Sequence, residues 1–370
     1  MNKLQNSSMF ILIFLFSFLS ITCLTDDPLK KPFQSFIPSD LSDGWAIATP
    51  NDVNIDGEVL KNVYKYLHED YNIWQIRSLL VIRNNKLVAE SYMKDNDDRT
   101  TPRAIWSCTK QVTGILTGIA VEKGLISVED TMLDHLPQVS QHPDKSQITI
   151  ENLLTMKSGI KFSNDGGYNS ETDQLLRGVP SSSLDFILGL GMRSTPGTQF
   201  NYNDGDPHII SAILQKGTGK TTKDWAKEVL FDRIGINRLQ WLAYKDGITF
   251  GAYGILTTPR ELGKIGQLVL NDGMWGAERI VSSSWIDTMT SSKIPASETH
   301  NTNIIFGYLW WKDTFRNVMF TWGHGGQFVF INKDKNLIVV MTTENDTDGD
   351  LQVSVYEALS IYDRINSTAN

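Results

Sequence analysis

The strand-like stretches of this chain lie near its two ends, and a helical pattern fills the middle. Toward the N-terminal end, Ser78-Leu-Leu-Val-Ile-Arg-Asn-Asn-Lys-Leu-Val-Ala-Glu-Ser-Tyr92 is two apolar runs around Asn84-Asn85, a hairpin signal. After Ser284 the strand signal returns. Phe306 to Trp311, Val318 to Trp322, Gln327 to Ile331 and Leu337 to Thr342 read as a meander, with Asn332 to Asn336 as one turn. Between the two ends, from Ser127 to about Leu270, the pattern is helical and broken by Pro, Gly, Asn and Asp. A further helical pattern precedes the hairpin, where Val53, Ile55, Val59, Leu60, Val63, Tyr64 and Leu67 fall partly at helical spacing. The prediction is an α+β architecture, with an antiparallel sheet built from both chain ends and an inserted helical lobe. The 370 residues suffice for one large domain or two lobes with a sizeable core. The longest loop-like stretch, Lys161 to Val179, is rich in Asn, Asp, Gly and Ser, and loops of that length are often functional.

The first residues are separate from this pattern. Lys3 precedes an uncharged, mostly apolar run of 14 residues, Met9 to Thr22. A bilayer span takes roughly 20 residues, so the run reads as the apolar region of a secretory signal peptide, residues 1–22. No later run reaches spanning length. Only two cysteines occur, Cys23 and Cys108. A disulfide between them would tie the leader to the helix described next, so none is expected. Cys23 is either a site of lipid attachment after cleavage or lies beside a simple cleavage point, and both readings stay open. Residues 23–43 are expected to be a polar arm or tether, and residues 44–366 the folded domain. The localisation expected is export: periplasmic, membrane-attached through a lipid on Cys23, or secreted.

Several classes of function are disfavoured. Net charge is −8 and no Lys/Arg cluster forms a stripe, so no nucleic-acid partner is expected. The six histidines (His68, His135, His142, His208, His300, His324) show no close ligand spacing, so no metal is expected. Gly217-Thr-Gly-Lys-Thr-Thr222 lacks the first glycine of a P-loop, since Leu214 stands there, and fits a helix-ending loop better. No Gly-x-Ser-x-Gly elbow occurs, which disfavours an α/β-hydrolase.

The chemistry concentrates in Ser107-Cys-Thr-Lys110, at the start of an apolar-periodic helix that carries Val112, Ile115, Leu116 and Ile119 and ends at Gly124. Residues three apart share a helix face, so Lys110 stands over Ser107. A serine hydroxyl needs a basic partner to act as a nucleophile, and a lysine in a dry site can lose its proton. The helix N-terminus adds free N–H groups that suit an oxyanion. About a hundred residues later comes Pro196-Gly-Thr-Gln-Phe-Asn-Tyr-Asn-Asp204, and near the C-terminus Trp322-Gly-His-Gly-Gly-Gln327.

Ser-x-x-Lys, then a tyrosine motif, then Lys/His-x-Gly, in that order, resembles the penicillin-recognising serine hydrolases. The branch it resembles holds the class C β-lactamases, the family VIII esterases and the 6-aminohexanoate-dimer hydrolases. Ile148 to Gly159, Tyr253 to Leu262 and Ile280 to Trp285 are similar to that branch too, and the resemblance runs from about Gly44 to about Asn345. It implies a β-lactamase/transpeptidase-like fold with the Ser107 helix in a cleft between lobes. It implies Ser107 as nucleophile, Lys110 and Tyr202 as proton carriers, and the backbone N–H groups of Ser107 and Gln327 as oxyanion hole. Asn203, Asp204, His324, Gly325 and Gly326 fall at substrate-binding positions. No cofactor is implied, and the partner is a small-molecule ester or amide.

Two departures bear on the substrate. In the β-lactamases a lysine of the third motif helps hold the substrate carboxylate, and His324 is mostly neutral at pH 7. Tyr-x-Asn ends in an amide there, whereas Asp204 is acidic, and Tyr202-Asn203-Asp204-Gly205-Asp206 resembles the 6-aminohexanoate-dimer hydrolases more. A carboxylate beside Lys110 favours its charged form and blunts it as a free base. The reading is an exported serine hydrolase acting through an acyl-enzyme on an ester or short amide. A D-Ala-D-Ala carboxypeptidase, a β-lactamase and a penicillin-binding or sensing module without turnover are the alternatives.

Overall fold

The computed structural model describes residues 30–164, 167–299, 301–344 and 352–369. The expected signal peptide, Cys23 and His300 lie outside them. Among the described residues no helix is long and apolar enough to cross a membrane.

The two chain ends build one eight-stranded sheet. Its strands are β1 Ala46–Ile47, β2 Ile76–Arg83, β3 Lys86–Tyr92, β4 Ile304–Phe306, β5 Trp311–Asp313, β6 Val318–Gly323, β7 Gln327–Asn332 and β8 Leu337–Thr343. Their order is β1-β3-β2-β8-β7-β6-β5-β4. The two chain ends meet at β2 and β8, paired antiparallel from Arg83–Leu337 to Ile76–Thr343. Every pair is antiparallel except the short parallel β1–β3 contact. The β2–β3 turn places Asn84 at φ 51° and Asn85 at φ 61°. Two left-handed residues make the mirror-image turn that matches strand twist, and asparagine tolerates that conformation.

Helices cover both faces, which is why β2 and β7 are buried at every position. The helices that matter here are α1 Gly57–Glu69, α2 Cys108–Glu122, α3 Gly205–Thr218, α4 Pro259–Leu270 and α5 Val355–Asn366. Helix α4 packs closely through Gly263 and Gly266. A Cβ on either would sit within 3 Å of Ile82 or Val329. On the other face Tyr362 of α5 meets Phe330, and the Tyr64 hydroxyl of α1 donates to Leu79 O.

The structure revises several expectations. Helix α1 starts at Gly57, where Asp56 accepts from the N–H groups of Glu58 and Val59. Val53 lies in a preceding 3₁₀ turn and Val59 is exposed. The run Phe306 to Trp311 is not one strand. It breaks into β4 and β5 around a turn with Leu309 at φ 61°, and Phe306 pairs with Trp311. A Cβ at Gly307 would lie 2.1 Å from Met289 O, and Leu309 N donates to Leu154 O, so tertiary contacts override the strand pattern. The helical middle also holds a small sheet of Arg103–Ala104, Ile255–Thr257 and Leu239–Trp241. Runs that short carry too little periodicity to be told from helix. Helix α2 is buried all round from Cys108 to Ala120, not along one stripe, because it lies between sheet and helical lobe. Gly118 leaves room there for the Trp285 ring.

Residues 30–43 are docked, so the arm expected over 23–43 joins the folded body from Lys30. Lys30 Nζ donates to Leu67 O and Asp70 O, and Glu90 N donates to Phe36 O. The buried Arg260 binds Asp43 and Glu90 and donates to Ser39 O. The stretch Lys161 to Val179 contains a short helix, Glu171–Leu176, capped by Ser170. Gly217 and the residues after it close α3, with Gly219 left-handed at φ 69°.

Candidate active site

Ser107 caps α2, and the residue before it is strained. Trp106 has φ 49°, a conformation rarely adopted by a bulky side chain and one that clusters at functional sites. The turn lifts Ser107 toward a cleft of about 600 Å³, lined by Ser107, Tyr202, Trp311, Trp322, Gly323 and His324 among others. One turn on, Lys110 is fully buried. Its Nζ donates to Ser107 Oγ at 2.8 Å, Asp204 Oδ1 at 2.5 Å and Ala252 O at 3.3 Å. Burial by itself lowers the lysine pKa, but Asp204 and then Tyr202 outweigh it, so Lys110 is held above its ordinary value. At rest Lys110 is therefore a cation, not a free base.

Tyr202 stands beside this pair. Its ring packs on Trp311 at 5.5 Å between centroids and edge-on to Phe306 at 6.2 Å, with Lys110 Nζ 4.9 Å from the ring centre. Its hydroxyl is in hydrogen-bond contact with Ser107 and Lys110. Burial raises its pKa, and Lys110 and Ser107 offset this only in part, so Tyr202 rests as a phenol. Ser107, a neutral phenol and an ion pair thus share one hydrogen-bonded cluster, within which protons can move without a free charge in the cleft.

Gln327 opens β7 opposite Gly323. Its side chain is clamped by Thr343, with Nε2 donating to Oγ1 at 2.7 Å and Oε1 accepting from Thr343 N at 3.1 Å. The start of α2 is seated on this strand. Cys108 Sγ donates to Gln327 O at 3.3 Å, and Gly323 approaches Ile105 O so closely that a Cβ would come within 2.3 Å. This seating brings together the segments that carry the Ser107 and Gln327 N–H groups. Cys108 is buried, and burial pushes its thiol up to about 12, so it is not a rival nucleophile.

Other expected site residues take different roles. Asn203 is buried away from the cleft lining, donating to Asn201 O and accepting from Asp206 N. Asp204 is the counter-ion of Lys110, where the sequence placed a substrate contact. Gly325 and Gly326, at φ 80° and 112°, form the tight β6–β7 turn against Glu344 O and Val353, and it is Gly323 that borders the cleft. His324 is exposed at the cleft edge, its ring 5.4 Å from that of Trp106 and its Nδ1 3.1 Å from Gln352 Nε2.

The sequence reading missed Thr172. Its Oγ1 lies 2.8 Å from Asp204 Oδ2 and 2.7 Å from Asn164 Oδ1, so the short helix in the Lys161 to Val179 stretch reaches the buried ion pair. The polar composition of that stretch was the available signal. The left-handed Trp106 and the wall formed by Trp311 and Trp322 carried none. A second serine–histidine–aspartate grouping, of Ser183, His208 and Asp246, is structural. Ser183 is fully buried, its N and Oγ both bind Asp246 Oδ2, and burial pushes the neighbouring His208 down to about 4.

A mixed sheet joined from both chain ends, with a serine, lysine and tyrosine gathered between it and a helical lobe, is the architecture of the β-lactamase and penicillin-binding-protein class. The chain belongs to the beta-lactamase family, whose model matches residues 77–361. It is 21% identical over 230 residues to the 6-aminohexanoate-dimer hydrolase of Paenarthrobacter ureafaciens, covering 57% of this chain and 56% of that one. The chain thus spans little more than half the length of that relative. Among solved structures, a Bacillus anthracis protein provisionally described as a 6-aminohexanoate-dimer hydrolase superposes with a TM-score of 0.70 at 18% identity, covering 91% of this chain and 90% of that one. EstCE1, a hydrolase with promiscuous acyltransferase activity, superposes at 0.66 with 15% identity, covering 83% and 97%.

Proposed function

We propose that this protein hydrolyses an ester or short amide bond through an acyl-enzyme on Ser107. The observation that carries the reading is Lys110, whose buried Nζ touches Ser107 Oγ and Asp204 Oδ1 at once. Ser107 Oγ bonds to the acyl carbon and passes its proton to Lys110 as Lys110 passes one to Asp204. The Ser107 and Gln327 N–H groups hold the oxyanion. Tyr202 gives its proton to the leaving oxygen or nitrogen as the acyl–leaving-group bond breaks, and regains one from Asp204 through Lys110. Water then attacks the acyl-enzyme over the same proton path, releasing the acid and restoring the serine.

The test is hydrolysis of p-nitrophenyl butyrate, nitrocefin and short amides by the protein and by Ser107→Ala, together with fluorophosphonate labelling. Loss of the nucleophile should lower kcat by several orders of magnitude. Substantial activity in Ser107→Ala, or labelling at another serine, would overturn the assignment. Covalent labelling by a penicillin without turnover of any substrate would make the protein a penicillin-binding module instead.

Export is proposed on the Met9 to Thr22 run. Mass spectrometry of the native N-terminus tests it, and an intact Met1 on the functional protein would reject it. Detergent partitioning that is lost in Cys23→Ser would identify lipid attachment.

A further inference from the structure

A second compartment opens beside the one at Ser107. It measures about 640 Å³ and shares Asn164, Arg193, Asn201 and Tyr202 with the first, so the two form one cleft continuous past Tyr202. Two cations line it, Lys161, which belongs to this compartment alone, and the shared Arg193.

These two cations are mounted on paired backbone. Ile160 and Met192 form an antiparallel bridge, flanked by Lys161 N donating to Gly191 O and Arg193 N donating to Gly159 O, both at 2.8 Å. Ile160 is buried and Met192 packs on the core. Lys161 and Arg193 flank this bridge, one on each segment, and both line the compartment. Their cross-strand neighbours are glycines, so no side chain opposite covers either cation.

Arg193 Nη1 donates to Asn201 Oδ1, which orients the guanidinium. Among the described residues neither Lys161 nor Arg193 has a carboxylate in ion-pair range, whereas Lys110 is matched by Asp204. The carboxylate that does line the compartment, Glu171, accepts from Ser163 N. Among the described residues, a chain of net charge −8 thus sets two cations against one carboxylate at this end of its cleft. A guanidinium recognises a carboxylate through parallel hydrogen bonds.

We propose that Arg193, supported by Lys161, binds a carboxylate on the leaving-group side of the substrate. This rests on the reading of Ser107 as nucleophile and Tyr202 as proton donor to the leaving group. Tyr202 borders both compartments, so a leaving group protonated by it extends toward Arg193. Anion recognition is thereby moved from the third-motif position, where His324 stands, to the paired backbone of the helical lobe.

The test uses two butyrate esters that differ in the charge of the leaving group, those of 3-hydroxybenzoate and 3-hydroxybenzamide. The protein should prefer the anionic ester in kcat/KM by about ten- to a hundredfold, the range of a charge-assisted hydrogen bond. Arg193→Gln should bring the ratio close to one, Arg193→Lys should keep part of it, and added salt should lower it. A wild-type ratio at or below one, or a ratio unchanged in Arg193→Gln, overturns the proposal. In that case Ser107-dependent hydrolysis of the neutral ester would leave the serine reading intact. If neither ester is cleaved, the serine reading is at fault and binding of free 3-hydroxybenzoate decides, followed through the fluorescence of Trp311 and Trp322. At least tenfold weaker binding to Arg193→Gln supports the site, and equal binding rejects it.

Discussion

Lys110 Nζ lies 2.5 Å from Asp204 Oδ1, and both groups are buried. In the proposed reaction this contact decides how the serine is activated. An isolated lysine in so dry a site would tend to be neutral, whereas beside Asp204 it is an ammonium. Deprotonating Ser107 in that reaction then requires a proton to pass along the pair and does not await a rare neutral lysine.

Asp204→Asn should lower the Lys110 pKa and destabilise the fold by about 3–5 kcal/mol near neutral pH, because a buried charge loses its partner. In the wild type the raised lysine pKa contributes stability that is full below the unfolded value of 10.5 and is lost only as pH rises through the folded value. In the variant the native lysine releases its proton before the unfolded one, so stability should rise with pH. Urea denaturation between pH 6 and 10 measures both. A variant as stable as wild type at pH 7 would contradict the pairing.

Thr172→Val removes a hydroxyl that contacts the second oxygen of Asp204. Hydrogen bonds to charged groups contribute roughly 1.5–3 kcal/mol, so kcat/KM for any ester found should drop by about ten- to a hundredfold. Thr172→Ser should retain most of the activity. Equal rates for the valine and wild-type proteins would show that the short helix does not bear on the ion pair.

Asp206 is fully buried beneath the tyrosine motif, and burial lifts its carboxyl from 3.8 to about 7. The folded state therefore holds a proton that the unfolded chain has released. This group's contribution is full below about pH 4 and fades as pH rises toward 7, and its size is of the order of a few kcal/mol. Asp206→Asn should flatten the fall in melting temperature across that window. An unchanged pH profile in the variant would assign the fall to other groups.

Nitrocefin should be a poorer substrate than p-nitrophenyl butyrate. His324 sits at the cleft edge against Trp106 and Gln352, where a lysine would present a fixed charge. Losing a charged hydrogen bond to the β-lactam carboxylate costs roughly 1.5–3 kcal/mol, about ten- to a hundredfold in rate. A higher kcat/KM for nitrocefin than for the ester would reject this reading of the third motif.

What the sequence determined by itself is whatever is encoded over a few residues. Asn84-Asn85 specifies its turn because asparagine tolerates left-handed backbone. The apolar runs of Ser78 to Tyr92 and Gln327 to Ile331 specify strands, and the three-residue spacing of Ser107 and Lys110 puts both on one helix face. The tertiary structure decided what depends on residues far apart in the chain. Lys110 could be read as a base or an ammonium until Asp204, 94 residues away, was placed against it. Thr172 gained a role only when its helix docked beside Asp204, and Phe306 to Trp311 lost its strand because Met289 and Leu154 hold its middle in a turn. Turn preference and the strand preference of short apolar runs are local energies, whereas a buried group's charge is set by what surrounds it in space. That surrounding exists only once sheet and helical lobe have closed on α2.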